Sequence, residues 1–104
     1  MARTAVKTRT KTKTERPKLY KVILLNDDYT PREFVVLVLK AVFRMDESHA
    51  YKVMMTAHRK GACVIAVYTR DVAETKVKAA RQLAEQNEFP LLVTMEPEPQ
   101  EQRA

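Results

Sequence analysis

The sequence predicts an α+β domain, a two-layer sandwich with the order β-α-α-β-α-β, in which three helices accompany a small three-stranded antiparallel sheet. Short β-branched runs alternate with amphipathic segments, and turn or capping residues separate them. The length of 104 residues suits one domain with a single core. Apolar residues at 45% and charged residues at 31% are typical of a globular protein.

The folded part is expected to span residues 18–96, between two polar ends. Residues 1–17 alternate Thr with Lys or Arg and hold six basic side chains against one acidic side chain, most of the formal net charge of +6. Neither this stretch nor residues 97–104 has enough apolar side chains to offset the entropy lost on ordering. We therefore predict a disordered basic N-terminal extension (1–17), a core (18–96) and a disordered tail (97–104).

The first strand is predicted over residues 18–25, because this run is apolar and β-branched and three turn-forming residues follow it. Thr30, Pro31 and Glu33 form a capping box with Pro at the first helical position, which favours a helix over residues 34–43 although their composition also suits a strand. The expected core stripe of this helix is Phe34, Leu37, Val38, Ala41 and Val42. Because other positions are apolar too, we expect a second side of the helix to be covered or used.

A second helix is predicted from Glu47 to Lys60, with Asp46 as its N-cap and Gly61, the only glycine, as its left-handed C-terminal residue. Its expected core stripe is Ala50, Val53, Met54 and Ala57.

A second strand is predicted over residues 62–68, with a strict alternation that places Cys63, Ile65 and Val67 on one side. A third helix, capped by Thr69 or Asp71, runs to about residue 87, and a last strand covers residues 91–95. The expected core stripe of the third helix is Ala73, Val77, Ala80 and Ala84.

Several classes of protein are disfavoured by composition. The longest apolar run, residues 34–39, is far shorter than the ~20 residues of a membrane span, and no secretory signal follows Met1. One glycine excludes glycine-rich nucleotide motifs, and one cysteine, Cys63, excludes an internal disulfide framework and a cysteine-rich zinc site. We expect a cytoplasmic protein that needs no metal or other cofactor. We find no nucleophile–base pair with an orienting third group, so an enzyme is the least favoured class.

Several strings together resemble the ClpS family, small adaptors of the bacterial Clp protease system. They are YKVILLNDDYTP at residues 20–31, EFV at residues 33–35, His58 after a Met-bearing helix, VAETKV at residues 72–77, and PL at residues 90–91. The resemblance implies an adaptor that binds substrates with a bulky hydrophobic N-terminal residue (Leu, Phe, Tyr or Trp; an N-degron). It would deliver them to a ClpA-type AAA+ unfoldase that feeds the ClpP peptidase, and would itself catalyse nothing. It also implies a monomer whose N-terminal extension takes part in delivery.

The resemblance also implies three sets of functional residues. The α-amino group of the substrate would meet Asn26, Asp27 and His58, and the unfoldase would contact Lys76 and Asp71. The side-chain pocket would be formed by Asp28, Thr30, Arg32, Val35, Met54, Ala57 and Leu91. The chemistry agrees, because an α-ammonium group is a cation with three donors, and an amide oxygen, a carboxylate and a neutral imidazole are acceptors.

Each of these features has a plainer interpretation when taken alone. An Asn-Asp-Asp run before a helix is commonly a turn, a histidine on an apolar face is commonly a satisfied core residue, and Met54 on a helical stripe is commonly core. The second functional hypothesis is a nucleic-acid- or ribosome-binding protein that uses the basic arm, consistent with a pI near 9.6. Against it, the folded part is nearly neutral and its aromatic residues do not alternate with basic ones.

Arg32 departs from the family pattern, in which many members carry Met after Thr-Pro. In the family this position guards the pocket mouth and crowds out β-branched residues, and the methylene stem of Arg is suited to the same task. A cation in the first helical turn opposes the helix dipole, so the residue breaks a local rule. The second strand also lacks the Cys-Gly pair that is common there, and the arm is more basic than most.

Overall fold

The computed structural model describes residues 17–99, which fold as predicted into three helices and a three-stranded antiparallel sheet in the order β-α-α-β-α-β. The expected disordered extension and tail lie outside the described residues except for residue 17 and residues 97–99. No helix among the described residues is long and apolar enough to cross a membrane. The elements are β1 (Leu19–Leu25), α1 (Arg32–Ala41), α2 (Glu47–Lys60), β2 (Ala62–Thr69), α3 (Arg70–Gln86) and β3 (Leu92–Pro97).

The sheet has the strand order β2-β1-β3, with β1 in the centre and antiparallel to both neighbours. β3 continues through Pro97, and the backbone N–H of Glu98 donates to the carbonyl of Leu19 at 2.8 Å. α2 and α3 pack on the sheet, whereas α1 packs chiefly against α2. One side of the seam between α1 and α2 is therefore formed by a helix that packs mainly on the other helix and not on the sheet.

The predicted strict alternation in β2 is wrong, because a β-bulge interrupts the pairing of β2 with β1. Val22 pairs with Ala66 and Ile23 pairs with Val64, which leaves Ile65 as the extra residue. A bulge places two neighbouring residues opposite one and shifts the phase of the side chains. Ile65 and Ala66 accordingly both pack against the core, while Val67 is exposed.

The start of α1 also differs from the prediction. The N-cap is Pro31 in an extended conformation with no side-chain cap, and the helix begins at Arg32. The hydroxyl of Thr30 instead donates to the carboxylate of Asp27, at 3.0 and 2.9 Å from its two oxygens. A hydrogen bond to a charged acceptor is about twice as strong as one between neutral groups, so the carboxylate takes the hydroxyl from the expected capping box.

The predicted core stripe of α1 is rotated in the structure. Its buried residues are Phe34, Val35, Val38 and Leu39. Leu37 and Ala41, expected in the core, are exposed. An ambiguous apolar pattern allows more than one buried face, and packing against α2 selects between them. The helix ends at Ala41 with Val42 as its C-cap, two residues before the predicted end.

α2 and α3 agree closely with their sequence signals. The carboxylate of Asp46 accepts from the backbone N–H of His49 at 2.8 Å, and Gly61 takes the left-handed conformation at φ 93°. The N-cap of α3 is Thr69, without a side-chain hydrogen bond, and Asp71 lies in its first turn. All residues of both predicted core stripes are buried, namely Ala50, Val53, Met54 and Ala57 of α2 and Ala73, Val77, Ala80 and Ala84 of α3.

Candidate functional site

Three segments that are distant in the sequence meet where the central strand ends. β1 stops at Leu25, the following loop leads into α1, and the C-terminal end of α2 lies alongside. The backbone N–H of Asn26 donates to the carbonyl of Gly61 at 3.0 Å. This hydrogen bond ties the strand end to the turn that follows α2, and it brings Asn26 and His58 to the same cavity.

The loop after β1 is organised by the carboxylate of Asp27. Its Oδ1 atom accepts from the backbone N–H groups of Tyr29 and Thr30, both at 2.8 Å, in addition to the Thr30 hydroxyl. An Asp side chain that bonds the backbone two residues ahead replaces part of a turn, which explains why this run folds tightly without a glycine. Asp27 therefore has a clear structural task, while the neighbouring Asp28 is exposed.

The cavity formed by these segments has a volume of about 230 Å³. It collects nine of the ten residues that the sequence analysis assigned to substrate binding: Asn26, Asp27, Asp28, Thr30, Arg32, Val35, Met54, Ala57 and His58. Leu24 and Leu25, which the sequence analysis missed, also line it. Their position directly before Asn26 at the end of a strand was the signal that could have included them.

Leu91 is the one predicted pocket residue that does not line the cavity. It is buried at 6% exposure and precedes β3, which pairs with β1 on the side opposite β2. At the cavity the central strand contributes Leu24 and Leu25 instead.

The cavity combines an apolar floor with a polar mouth. Val35, Met54 and Ala57 come from the facing sides of α1 and α2 and are at most 9% exposed. Asn26 and His58 are exposed and supply amide and imidazole groups above this floor. The arrangement suits a small ligand with a hydrophobic side chain at one end and several hydrogen-bond donors at the other.

Arg32 and His58 contact each other across the mouth. The Nη2 atom of Arg32 lies 3.1 Å from the Nε2 atom of His58. A guanidinium group has only donors, so the imidazole Nε2 is the acceptor in this contact. The contact gives Arg32 a local partner that the sequence analysis did not find, and it places a permanent cation beside the cavity.

The two residues predicted to contact an unfoldase lie on α3, away from the cavity. The ammonium group of Lys76 donates to the carbonyl of Val42 at 2.8 Å and is partly buried. It thus satisfies a backbone oxygen at the end of α1, where a positive charge is also favoured by the helix dipole. Asp71 is exposed in the first turn of α3.

Cys63 lies outside the cavity and is partly buried in β2. Its thiol is 3.6 Å from the carbonyl oxygen of Val64. Burial raises the pKa of the Cys63 thiol above its usual value, and the nearby ammonium group of Lys60 opposes this only in part. Burial likewise raises the pKa of Tyr68. A raised thiol pKa lowers the fraction of reactive thiolate, as expected for a cysteine with a packing role.

Two larger depressions lie on the described surface. One of about 710 Å³ between α3 and β3 is lined mostly by charged and polar residues, and one of about 640 Å³ follows α1 and α2. We place the candidate site in the smaller cavity because it combines amine acceptors with an apolar floor. Within residues 17–99, no group of three or more His, Cys, Asp and Glu side chains has the geometry to hold a metal ion.

Comparisons with known proteins agree with the resemblance found in the sequence. The family model described as ATP-dependent Clp protease adaptor protein ClpS matches residues 15–94. The chain is 67% identical over 95 residues to ATP-dependent Clp protease adapter protein ClpS 1 of Bradyrhizobium diazoefficiens, covering 91% of this chain and 94% of the relative. It is 64% identical over 94 residues to ClpS 2 of Rhizobium meliloti, covering 90% and 93%.

The fold also matches a solved structure. The structure of Agrobacterium tumefaciens ClpS2 bound to L-phenylalaninamide superposes with a TM-score of 0.78 at 65% identity, covering 80% of this chain and 100% of that chain. L-phenylalaninamide carries a free α-amino group, a benzyl side chain and an amide where a peptide bond would follow.

Proposed function

This chain belongs to the ClpS family of Clp protease adaptors, and on that premise we propose that its 230 Å³ cavity binds the N-terminal residue of substrates when that residue is Leu, Phe, Tyr or Trp. The observation that carries the proposal is the meeting of amine acceptors and an apolar floor in one small cavity. Its volume lies below the roughly 300–1,000 Å³ of drug-sized pockets, which suits one residue.

The apolar floor supplies the selection for bulky side chains. Burying a Leu or Phe side chain contributes roughly 1.5–3 kcal/mol, whereas Ala or Ser would leave the cavity unfilled. Met54, an unbranched and flexible side chain, lets one pocket accept both aliphatic and aromatic shapes. The relative solved with L-phenylalaninamide supports this use of the pocket, because that ligand reproduces a chain that begins with Phe.

The polar mouth supplies the selection for a free terminus. We assign the amide oxygen of Asn26, the carboxylate of Asp27 and the ring of His58 as the groups that receive the α-ammonium donors. Because both oxygens of Asp27 already serve the turn, its contribution is chiefly negative charge. Asp28, which lines the same cavity and is exposed, adds a second carboxylate at the rim.

We further propose that the adaptor passes its substrate to a ClpA-type AAA+ unfoldase and catalyses nothing itself. The exposed Asp71 and the remaining donors of Lys76 are the proposed contacts, and the basic arm over residues 1–17 is the proposed delivery element. The VAETKV string, which is intact in this chain, supports the assignment to α3. We propose that the adaptor acts as a cytoplasmic monomer.

The test is an anisotropy titration with three labelled probes: a peptide that begins with Phe, its N-acetylated twin, and an oligonucleotide. Acetylation removes the cation, so we expect a loss of at least about tenfold, since hydrogen bonds to charged groups contribute ~1.5–3 kcal/mol. His58→Ala should weaken binding, while His49→Ala, on the exposed first turn of α2, is the matched control. Equal binding of the two peptides refutes the proposal, and tight oligonucleotide binding without peptide binding favours the nucleic-acid hypothesis.

A further inference from the structure

The depression along α1 and α2 is a groove of about 640 Å³. On α1 it is lined by residues at the spacing of one helix face: Arg32, Glu33, Val36, Leu37, Lys40 and Ala41. On α2 it is lined by Glu47, Tyr51 and Met54, which also share one face. The groove thus follows the seam between the two helices.

The groove adjoins the N-terminal-residue cavity. Both are lined by Arg32 at the start of α1 and by Met54 in the middle of α2. From Met54 the cavity continues to Ala57 and His58, whereas the groove continues in the opposite direction to Tyr51 and Glu47. The groove therefore begins where the cavity ends and follows the seam between α1 and α2 away from it.

The groove presents apolar side chains to solvent. Leu37 is 48% exposed and Tyr51 is 53% exposed, and they lie on opposite helices within the same groove. Large apolar side chains that lie together and exposed are typical of a contact surface. They also account for the excess apolarity of α1, because Val36 and Leu37 face the groove while Val35 and Leu39 enter the core.

We propose that this groove binds the backbone and side chains of substrate residues two to five, with a preference for apolar residues over Gly and Ser at these positions. The inference rests on the function proposed above, because the first residue must occupy the cavity for its successors to reach the groove. From Arg32 to Ala41 the helix rises about 13 Å, and an extended chain advances about 3.3 Å per residue. The groove therefore accommodates about four residues.

The charges of the groove favour such a segment over the basic arm of this chain. Two cations, Arg32 and Lys40, balance two carboxylates, Glu33 and Glu47, so the groove has no net negative field. Lys40 and Glu47 pair at 2.6 Å and close the far end. Apart from Met1, the only apolar residue of the arm larger than Ala is Val6. The basic side chains of the arm would find neither an excess of carboxylates nor a favourable contact with the apolar side chains of the groove.

The first experiment needs only the full-length protein and peptides of increasing length. Phenylalaninamide and peptides of three, five, seven and nine residues that begin with Phe and continue with Leu or Val compete against a labelled probe. We expect affinity to rise with each added residue up to about the fifth and then to stay level, with a total gain of about tenfold over a Phe peptide that continues with Gly and Ser. Affinity that is independent of length and of downstream composition overturns the inference, while binding of phenylalaninamide still upholds the proposed function.

The second experiment places the effect in the groove. Leu37→Ser with Tyr51→Ser removes two exposed side chains, and Val64→Thr with Val67→Thr, two exposed residues of β2, is the matched control. We expect the groove variant to bind apolar and Gly-Ser peptides equally while its affinity for phenylalaninamide stays unchanged. A retained apolar preference, or an equal loss in the control, overturns the assignment. Sedimentation at the assay concentration completes the test. A wild-type dimer that persists in the control variant but is lost in the groove variant would show that a second copy of the chain occupies the groove, and would overturn the inference.

Discussion

Replacing Arg32 by Met tests how a permanent cation at the cavity mouth controls binding. The guanidinium of Arg32 occupies the Nε2 acceptor of His58 at 3.1 Å, so an α-ammonium group that uses the same nitrogen must displace it. Arg32→Met removes the competitor and leaves an apolar side chain at the rim. We therefore expect tighter binding of a peptide that begins Phe-Gly.

The size of this gain follows from the hydrogen bond that is given up. A hydrogen bond contributes a net ~0.5–1.5 kcal/mol, and because both side chains are exposed, the lower half of this range applies. Removing Arg32 should then raise affinity about two- to fivefold. The opposite effect is expected when the second or third residue is Asp or Glu, since wild type attracts these carboxylates and the variant does not.

The assay is a panel of Phe-start peptides with Gly, Asp or Lys at positions two and three, titrated at low salt and at ~0.5 M salt, where exposed charge effects are screened. Arg59→Met is the control. Arg59 follows His58 at the C-terminal end of α2 and is an exposed cation, but it does not line the cavity. We expect the order of first residues to stay nearly unchanged and Ile and Val to be rejected by both proteins. The expectation is wrong if Arg32→Met binds Phe-Gly peptides no more tightly than wild type, or if wild type binds Asp and Lys peptides equally well at low salt.

Three further predictions concern other residues. Lys76→Met removes the hydrogen bond to the end of α1 and should lower the free energy of unfolding by about 1–2 kcal/mol, or Tm by about 4–15 °C. Lys78→Met, at an exposed position of the same helix, is the control and should leave Tm unchanged. Equal melting curves for the two variants would contradict this role of Lys76. Deletion of residues 1–17 should leave peptide binding intact yet abolish accelerated degradation by ClpA–ClpP, and full-rate delivery by the truncated chain would exclude the arm as the delivery element. Because burial raises the pKa of Cys63, iodoacetamide at pH 7.5 should alkylate Cys63 more slowly than it alkylates glutathione. Mass spectrometry measures the rate, and a faster reaction of Cys63 would contradict its packing role.

Sequence patterns whose interactions are local predicted their structure correctly. The cap at Asp46 and the left-handed Gly61 involve atoms within four residues along the chain, so the local sequence is enough to predict them. The stripes of α2 and α3 were also predicted correctly, because the buried residues of each helix recur at the spacing of a single helix face. α1 was correctly predicted as a helix, but the capping box on which that prediction depended does not form. The hydroxyl of Thr30 donates to Asp27 instead.

The candidate site was predicted from whole strings rather than from single residues. Asn26, Asp27 and His58 are ambiguous when considered separately, and their order along the chain does not place them together. Only the resemblance carried by several strings predicted their meeting, and the structure brings nine of the ten predicted pocket residues to one cavity. That these residues bind a substrate stays a prediction.

Local sequence patterns were enough to predict which segments form helices and strands, because turns, caps and clear apolar stripes act over a few residues. The packing of the elements determines which apolar side of α1 is buried, where the bulge in β2 falls, and which partners Arg32 and Lys76 contact. Arg32 and His58 are separated by 26 positions, and Lys76 and Val42 by 34. Such pairs depend on how the elements pack, which no local pattern encodes, and the packing of α1 on α2 is also what opens the groove beside the cavity.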